Sequence, residues 1–412
     1  MRVLLAPHGT RGDVQPLVAL ALGLRRRGHD VSFLAPDNFV AWIRGYGFAC
    51  EPNGVDVEAA LRSPDGDLSS LRWQLRHFKT VLMPALFDSF MRIDLDVDLI
   101  VAAGVQLAAS SVAEWKDIPY ASIAFCPCAV PNSAAPPPPV RTQTLPRWVN
   151  RLLWDVGLPL GGLALRGLIN DGRKRLGLEP VSNPLSLLGG EPVIVAADRD
   201  LGPLAHDAPR TVVATDAWIL DEPAPFLDPR VDAFLDRDPP PIYAGFGSMV
   251  AKRSATLASH VVDAARAVGR RLILAGGWAS LDRHVTDADD VLAVTAVPHR
   301  IVFPRVAAVV HHGGAGTTTA AARAGAPQVV LPHLLDQFYW AHRVEQLGLG
   351  PRAFPVDLVT ADILTDRIAT ALEDWSIRER TRALAPAIAA RNGVDAAVDH
   401  LETLLVGLES GL

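Results

Sequence analysis

A chain of 412 residues is longer than one hydrophobic core usually fills, so two domains are expected. Hydrophobic types make up 49% of it and charged types 20%, which excludes a disordered chain. Basic residues number 39 and acidic ones 45, and the net charge of −6 argues against nucleic acid as a partner, because phosphate binding calls for a basic surface.

Val3-Leu4-Leu5-Ala6 predicts a first strand. A turn follows, then a helix over 14–27 in which Leu17, Leu20, Ala21 and Leu24 recur at helical spacing, closed by Gly28. Further strands are predicted at 31–35, 99–102, 120–125 and 193–197. Between the last two, residues 127–146 include four consecutive prolines (136–139) and read as a long surface excursion, either a stiff spacer or a wall of a binding site. Residues 218–241, rich in proline and acidic side chains, read as an exposed linker. A second series has strands at 242–246, 272–275, 291–295, 307–310 and 328–331, with helices over 254–268, 320–324 and 339–347. An amphipathic helix over 395–408 ends the chain. Apolar strands separated by helices predict parallel sheets covered on both faces, an α/β class with two doubly wound domains. The expected division is 1–217, the linker 218–241, 242–390, and a terminal segment 391–412 that packs back on the first domain. No repeat of solenoid or propeller length is present.

Cys50, Cys126 and Cys128 are odd in number and lack zinc-like spacing, so neither a disulfide framework nor a structural metal is signalled, and the chain reads as reduced and cytoplasmic. Residues 3–7 are too short an apolar run for a signal peptide. No stretch is expected to span a bilayer, which takes roughly 20 apolar residues. The nearest, 147–169, is broken by Arg151, Asp155, Pro159 and Arg166. Peripheral membrane contact stays open: Arg72, Arg76, His77 and Lys79 beside Trp73 read as a solvated helix face or as a membrane contact.

The sharpest motif is Val310-His311-His312-Gly313-Gly314-Ala315-Gly316-Thr317-Thr318-Thr319, between a predicted strand and a predicted helix. Its glycines let the backbone approach a ligand. The free N–H groups of a first helical turn, with the helix dipole, favour an anion such as a diphosphate. Thr317 adds a hydroxyl, and His311 is placed to reach a phosphate oxygen. The spacing is neither a dinucleotide fingerprint nor a P-loop. Next comes Leu331-Pro332-His333-Leu334-Leu335-Asp336-Gln337, also after a strand, where a carboxylate beside a carboxamide suits sugar hydroxyls; Asp336 alone would read as a helix cap. Phe246-Gly247-Ser248-Met249 offers Ser248 as a further phosphate contact, and Val297-Pro298-His299 a place for a base to pack.

In the first half, Pro7-His8-Gly9-Thr10-Arg11-Gly12-Asp13-Val14 follows the first strand. Thr10, Arg11 and Asp13 belong to the lip of the sheet. Asp13 reads as a first-turn acid or as a general base, and the latter requires burial or a neighbouring carboxylate to raise it from about 3.9. His8 is a second candidate base.

Residues 9–16, Gly247-Ser248-Met249, Gly276-Gly277-Trp278, Val297-Pro298-His299 and the run 311–350 together resemble the UDP-glycosyltransferase family of GT-B architecture, two Rossmann-like domains facing a central cleft. Within that family the chain looks most similar to sterol 3-β-glucosyltransferases and bacterial antibiotic glycosyltransferases. The resemblance covers roughly 1–52 and 242–372. It implies that the second domain holds a UDP- or dTDP-sugar and the first a lipophilic acceptor. The donor side would comprise Thr10, Arg11, Ser248, Trp278, Val297, His299, His311, Gly313, Gly314, Ala315, Gly316 and Thr317, with Asp336 and Gln337 on the sugar. Many relatives carry a histidine base in a Gly-His-x-x-Pro motif. Here the matching position is Asp13, and its activation is unexplained.

The expected reaction is an inverting displacement with Asp13 as base and no metal or other cofactor, since no Asp-x-Asp motif is placed to hold Mg²⁺ against the phosphates. Of the aromatic residues from Trp73 to Trp154, most read as ordinary core or loop residues and some suit an apolar acceptor such as a polyketide, glycopeptide or sterol. The alternatives are a nucleotide-sugar epimerase and a catalytically silent nucleotide-sugar-binding accessory protein. A monomer or homodimer is expected.

Overall fold

A computed structural model describes residues 1–63, 66, 70–185, 192–221, 226–249 and 254–410. Seven parallel strands form one sheet: β1 (Arg2–His8), β2 (Asp30–Ala35), β3 (Ala49–Pro52), β4 (Leu99–Gly104), β5 (Tyr120–Ala124), β6 (Val193–Val195) and β7 (Val212–Ala214), in the order β3-β2-β1-β4-β5-β6-β7. Five more, β8 (Ile242–Gly245), β9 (Leu272–Ala275), β10 (Val291–Val294), β11 (Ala308–His311) and β12 (Gln328–Val330), form a second parallel sheet in the order β10-β9-β8-β11-β12. The class is α/β with two doubly wound sheets, and β3 and β7, neither of them anticipated, are short edge strands.

Strand order reverses between β1 and β4 in the first sheet and between β8 and β11 in the second, where His8 pairs with Gly104 and Gly245 with His311. Crevices at such switch points, beyond the carboxyl ends of the strands, are where open α/β sheets bind ligands. The motifs singled out above therefore stand at both sites.

Alternation along β1 explains why the first sheet is covered twice. Val3 and Leu5 face a cluster with the helix Arg11–Arg26, whereas Leu4 and Ala6 face another with the helix Met83–Arg92. The terminal helix Val394–Ser410 buries Val394, Ala397, Val398 and Leu401 in the former cluster, so the last segment of the chain covers the first sheet.

Three expectations need correction. Residues 127–146 are a surface excursion only over their second part, 137–146, which is half-buried or exposed. Cys126, Cys128, Val130 and Ala135 are buried with Val195, Leu201, Trp340 and Ile388 in a cluster that joins the two halves. The 218–241 stretch is not all linker either: residues 229–235 form a helix whose Val231, Phe234 and Leu235 pack with Tyr243 and Ile273 beneath the second sheet, so that proline-rich composition concealed a core element. Finally, Arg151, Asp155, Pro159 and Arg166 do not break the helix Arg147–Arg175. It runs unbroken for 29 residues, includes an 18-residue window of mean hydropathy 1.4 and is, among the described residues, long and apolar enough to cross a membrane.

An ionic network closes the joint between the halves. Arg391 meets Asp198 (3.0 Å) and Asp200 (2.5 Å), Arg199 pairs with Asp216, and Arg343 donates to Leu201 O (2.7 Å). Asp198 is only 2% exposed. Arg391→Leu is expected to lower the unfolding free energy by roughly 2–4 kcal/mol, because it strands a buried carboxylate, and urea denaturation measures the loss.

Candidate active site

On the first sheet, β1 ends at His8 and the chain turns through Gly9 and Thr10 into the helix Arg11–Arg26. Thr10 is the N-cap, and Asp13 completes a capping box: its Oδ2 accepts the Thr10 N–H at 2.7 Å while Thr10 Oγ1 accepts from Gly12 N at 3.3 Å. The capping role of Asp13 is thus real. It does not exhaust the residue, because burial, opposed by the Thr10 hydrogen bonds, raises this carboxyl to about 6. The carboxylate lies between two glycines with positive φ, Gly9 (152°) and Gly104 (70°). A Cβ on Gly9 would overlap Asp13 Oδ2, and one on Gly104 would overlap His8 O and stand 3.0 Å from Asp13 Oδ1.

His8 is buried and plays a different part. Asn53 Oδ1 accepts from Val55 N (3.2 Å), which turns Asn53 Nδ2 toward His8 Nδ1 at 3.0 Å. That bond occupies the Nδ1 lone pair and puts the ring proton on Nε2. Burial, with His77 adding to it, pushes the imidazole down to about 3. In this tautomer His8 offers an N–H at Nε2 and no free lone pair. Arg11 is exposed, donates to Gln15 Oε1 (2.8 Å) and lies 5.2 Å over the Trp42 ring.

On the second sheet, β11 ends at His311 and the helix Ala315–Arg323 starts after Gly314, an N-cap with no side-chain hydrogen bond. The first-turn amides of Ala315, Gly316 and Thr317 therefore have no intrahelical acceptor and are available to an anion. Gly313 adopts φ +87°, and a Cβ there would come within 2.8 Å of Val330 Cγ1. The expectation for His311 needs correction. It is fully buried, its Nε2 pairs with Gln328 Oε1 (3.0 Å) and its Nδ1 accepts the Gly313 N–H (3.1 Å), so the ring braces the loop from behind. The next residue, His312, points the other way, as strand alternation requires. Its ring stands against Gly247 and Gly314, with a Cβ at Gly314 only 2.5 Å from Nε2, and its buried Nδ1 has no hydrogen-bond partner among the described residues. Burial, reinforced by the neighbouring histidines, holds His312 well below the usual imidazole range.

Around this loop, Ser248 lies in the turn after β8, and Trp278 N donates to Gly247 O (3.0 Å). Val297 packs on the cluster beneath β10. His299 stacks on Phe303 (4.2 Å between centroids) and is pushed down to about 4 by burial, with Arg11 as a second cause.

Asp336 stands at the N-cap position of the helix Gln337–Gln346 but makes no capping bond; its Oδ2 instead accepts Trp340 Nε1 at 3.2 Å. Leu335 just before it adopts φ +51°, a conformation costly for a branched side chain, and such strain tends to gather at working turns. Burial raises the Asp336 carboxyl to about 6, and the charge of Asp13 adds to the shift. Gln337 is buried, with Oε1 accepting from His333 N (2.8 Å) and Leu334 N (3.1 Å) and Nε2 directed at Met249 Sδ (3.2 Å). Its carboxamide holds the loop that aims Asp336.

The two strand-end clusters share one crevice. Asp13 acts electrostatically on Asp336 and Arg11 on His299, while Arg62 Nε donates to Trp278 O (3.1 Å) and the Phe39 and Trp278 rings lie 6.2 Å apart. Sequence reading missed Gly104, Asn53 and His312. For His312 the signal was present, since alternation in a strand turns only one of two adjacent histidines toward the ligand side. For Gly104 and Asn53 nothing local pointed to the site. Among the described residues no group of three or more His, Cys, Asp or Glu side chains is placed to hold a metal ion.

Residues 3–130 match the glycosyltransferase family 28 N-terminal domain, and residues 259–404 match the erythromycin biosynthesis protein CIII-like C-terminal domain. The chain is 38% identical over 409 residues to the vancomycin aglycone glucosyltransferase of Amycolatopsis orientalis, covering 98% of this chain and 97% of the relative. It is 32% identical to the O-mycaminosyltylonolide 6-deoxyallosyltransferase of Streptomyces fradiae, covering 98% and 97%. A sterol 3-beta-glucosyltransferase of Arabidopsis thaliana is 29% identical, covering 97% of this chain and 67% of that protein. Among solved structures, the glycotransferase of kitacinnamycin superposes with a TM-score of 0.71 at 19% identity, covering 98% of each chain. The spinosyn rhamnosyltransferase complexed with thymidine diphosphate does so with 0.67 at 20% identity, covering 98% and 100%.

Proposed function

The chain belongs to the glycosyltransferase family of these antibiotic and sterol enzymes, and from that premise we propose that it moves a hexose from a UDP- or dTDP-sugar to a hydroxyl of a hydrophobic acceptor, with inversion and with Asp13 as general base. The observation that carries this reading is the pair of buried, raised carboxyls, Asp13 at the end of the first sheet and Asp336 at the end of the second, with the charge of Asp13 felt at Asp336, beside the uncapped first-turn amides of 315–317. Asp13 takes the acceptor proton as the acceptor oxygen attacks the anomeric carbon, and the bond to the diphosphate breaks. The helix N-terminus receives the charge that builds on the departing diphosphate, so the step calls for no metal. Asp336 holds the sugar hydroxyls, and Gln337 fixes the turn that presents it. Ser248, Thr317 and His312 complete the phosphate side, with Val297, His299 and Trp278 beside the nucleotide. One displacement converts an α-linked donor into a β-glycoside.

Thymidine diphosphate in a fold neighbour keeps dTDP-sugars among the donors to assay. Relatives named for vancomycin aglycone and for sterols support a bulky, lipophilic acceptor. Cys50, Cys126 and Cys128 are buried free thiols, which suits a reducing, cytoplasmic setting. An epimerase would need its acid/base pair on the sugar alone, whereas Asp13 comes from the acceptor-side sheet. A silent binding protein would have no use for a raised carboxyl facing the donor loop. Incubation with UDP-glucose or dTDP-glucose and a panel of hydrophobic alcohols separates the three, and a β-glycoside is the expected product. Epimerised donor, or unchanged donor with every alcohol, would overturn the reading.

A further inference from the structure

The proposed transfer, on which this inference does not depend, assigns no role to the outer face of the helix Arg147–Arg175. Its inner face is committed to the protein. Trp154 Nε1 donates to Ala135 O (3.0 Å), Gly172 lies against Phe87 with no room for a side chain, and the buried Arg173 forks onto Glu114 at 2.7 and 2.9 Å. The outer face carries Trp148, Leu152, Val156, Leu160 and Leu163, between 49% and 70% exposed. Helical geometry puts these five within a sector about 120° wide and about 24 Å long. A continuous apolar stripe left in water marks an interaction surface.

Charge selects the occupant. The chain as a whole is net −6, yet this helix holds six Arg or Lys against two Asp; Arg173 is spent inside on Glu114 and Arg151 and Arg175 pair with Asp155 and Asp88, so Arg147, Arg166 and Lys174 carry the charge beside the stripe. Arg166 and Lys174 continue the stripe beyond Leu163, and Arg147 and Arg151 flank its start. Arg72 and Lys79, both exposed, lie on the segment leading into the helix Met83–Arg92, which packs beside it. Antiparallel pairing with a second copy would set the Arg147 end of one helix against the Arg166 end of the other. An anionic lipid surface accepts both features at once, apolar side chains at the acyl boundary and cations among the headgroups. For the helix to cross the bilayer instead, Trp154, Gly172 and Arg173 would have to leave their partners on the inner face.

We propose that the helix Arg147–Arg175 docks flat on an anionic lipid bilayer through its Trp148, Leu152, Val156, Leu160 and Leu163 stripe. The test floats the full-length protein with vesicles of phosphatidylcholine alone or mixed with phosphatidylglycerol, at low and high salt. Flotation with the anionic vesicles, weakened by salt and absent with phosphatidylcholine alone, is expected. The double variant Leu160→Asp, Leu163→Asp should reduce the bound fraction by more than about tenfold, the effect of losing two buried leucines. Its dTDP binding and circular dichroism should match the parent, which separates lost docking from lost folding. Absence of flotation with anionic vesicles overturns the proposal. So does a parent that is dimeric by light scattering and fails to float, with a monomeric variant, because the stripe then belongs to a second copy.

Discussion

Asp13→Asn is expected to lower kcat by roughly 10²–10⁴-fold, the range in which general bases contribute, while dTDP or UDP binding, read by calorimetry, stays unchanged. The substitution is nearly isosteric. The new carboxamide oxygen can accept the Thr10 N–H in place of Oδ2, so the capping box loses charge rather than shape. The pH profile gives a second test. Burial raises the Asp13 carboxyl to about 6, so below that pH the folded protein carries a protonated residue with no basicity. Transfer should therefore rise through about pH 6 and level off above it. The sign of the linked stability is opposite. A carboxyl raised above its unfolded value near 3.9 stabilises the fold below that value and loses the contribution as pH climbs through about 6. Activity and stability should thus trade against each other over that window, and the Asp13→Asn variant should remove the part of both trends that Asp13 contributes, leaving the part due to Asp336, whose carboxyl is also raised to about 6. Parent-like turnover in the variant would remove Asp13 from the mechanism.

What could be read in advance, and what could not, follows from the range of each signal. The 311–317 turn and the lip after β1 are each contiguous, and their glycines, threonines and strand-to-helix placement are local, so the place of both in the fold was legible. The alternating apolar strands gave away ten of the twelve strands as runs; β3 and β7 did not show because edge strands of four and three residues bury only Cys50 and Val212 fully. The segment 127–135 looked like a loop because its prolines and cysteines have no period. Its burial depends on Trp340 and Ile388, which come from the other half of the chain. Gln337 and His311 misled for a related reason. Residue type suggested hydroxyl and phosphate contacts, but His311 Nδ1 and Gln337 Oε1 are taken by backbone N–H groups of their own turns, with Nε2 of each directed at Gln328 and Met249 respectively, and only the folded loop reveals which polar groups are already paired. Likewise Gly104, which lies against the Asp13 carboxylate, and Asp336, which feels its charge, are far away in sequence.

Gly104→Ala is the substitution in which that long-range dependence should be most visible. Gly104 closes β4 next to His8, with φ +70°, so alanine would pay for a left-handed conformation of about 1–2 kcal/mol before any contact is considered. Its Cβ would overlap His8 O and stand 3.0 Å from Asp13 Oδ1, the oxygen that Thr10 leaves open. Relief can come from displacing the carboxylate or from spreading β1 from β4, and either moves the base relative to the donor loop. Misplacement of a reacting group by about 1 Å can cost on the order of 10²-fold, so kcat should fall by roughly 10–10²-fold. The 313–317 turn, proposed above as the diphosphate site, belongs to the other sheet, and nucleotide affinity should hold. Gly28→Ala supplies the control for strain alone: φ there is +83°, and the new Cβ would meet nothing within 4 Å. Both variants should lose comparable backbone stability, but only the change at residue 104 should move the acid limb of the pH profile, because only that Cβ touches the carboxylate. Equal loss of transfer in the two variants, with unshifted profiles, would mean that Gly104 serves the turn and has no part in positioning Asp13.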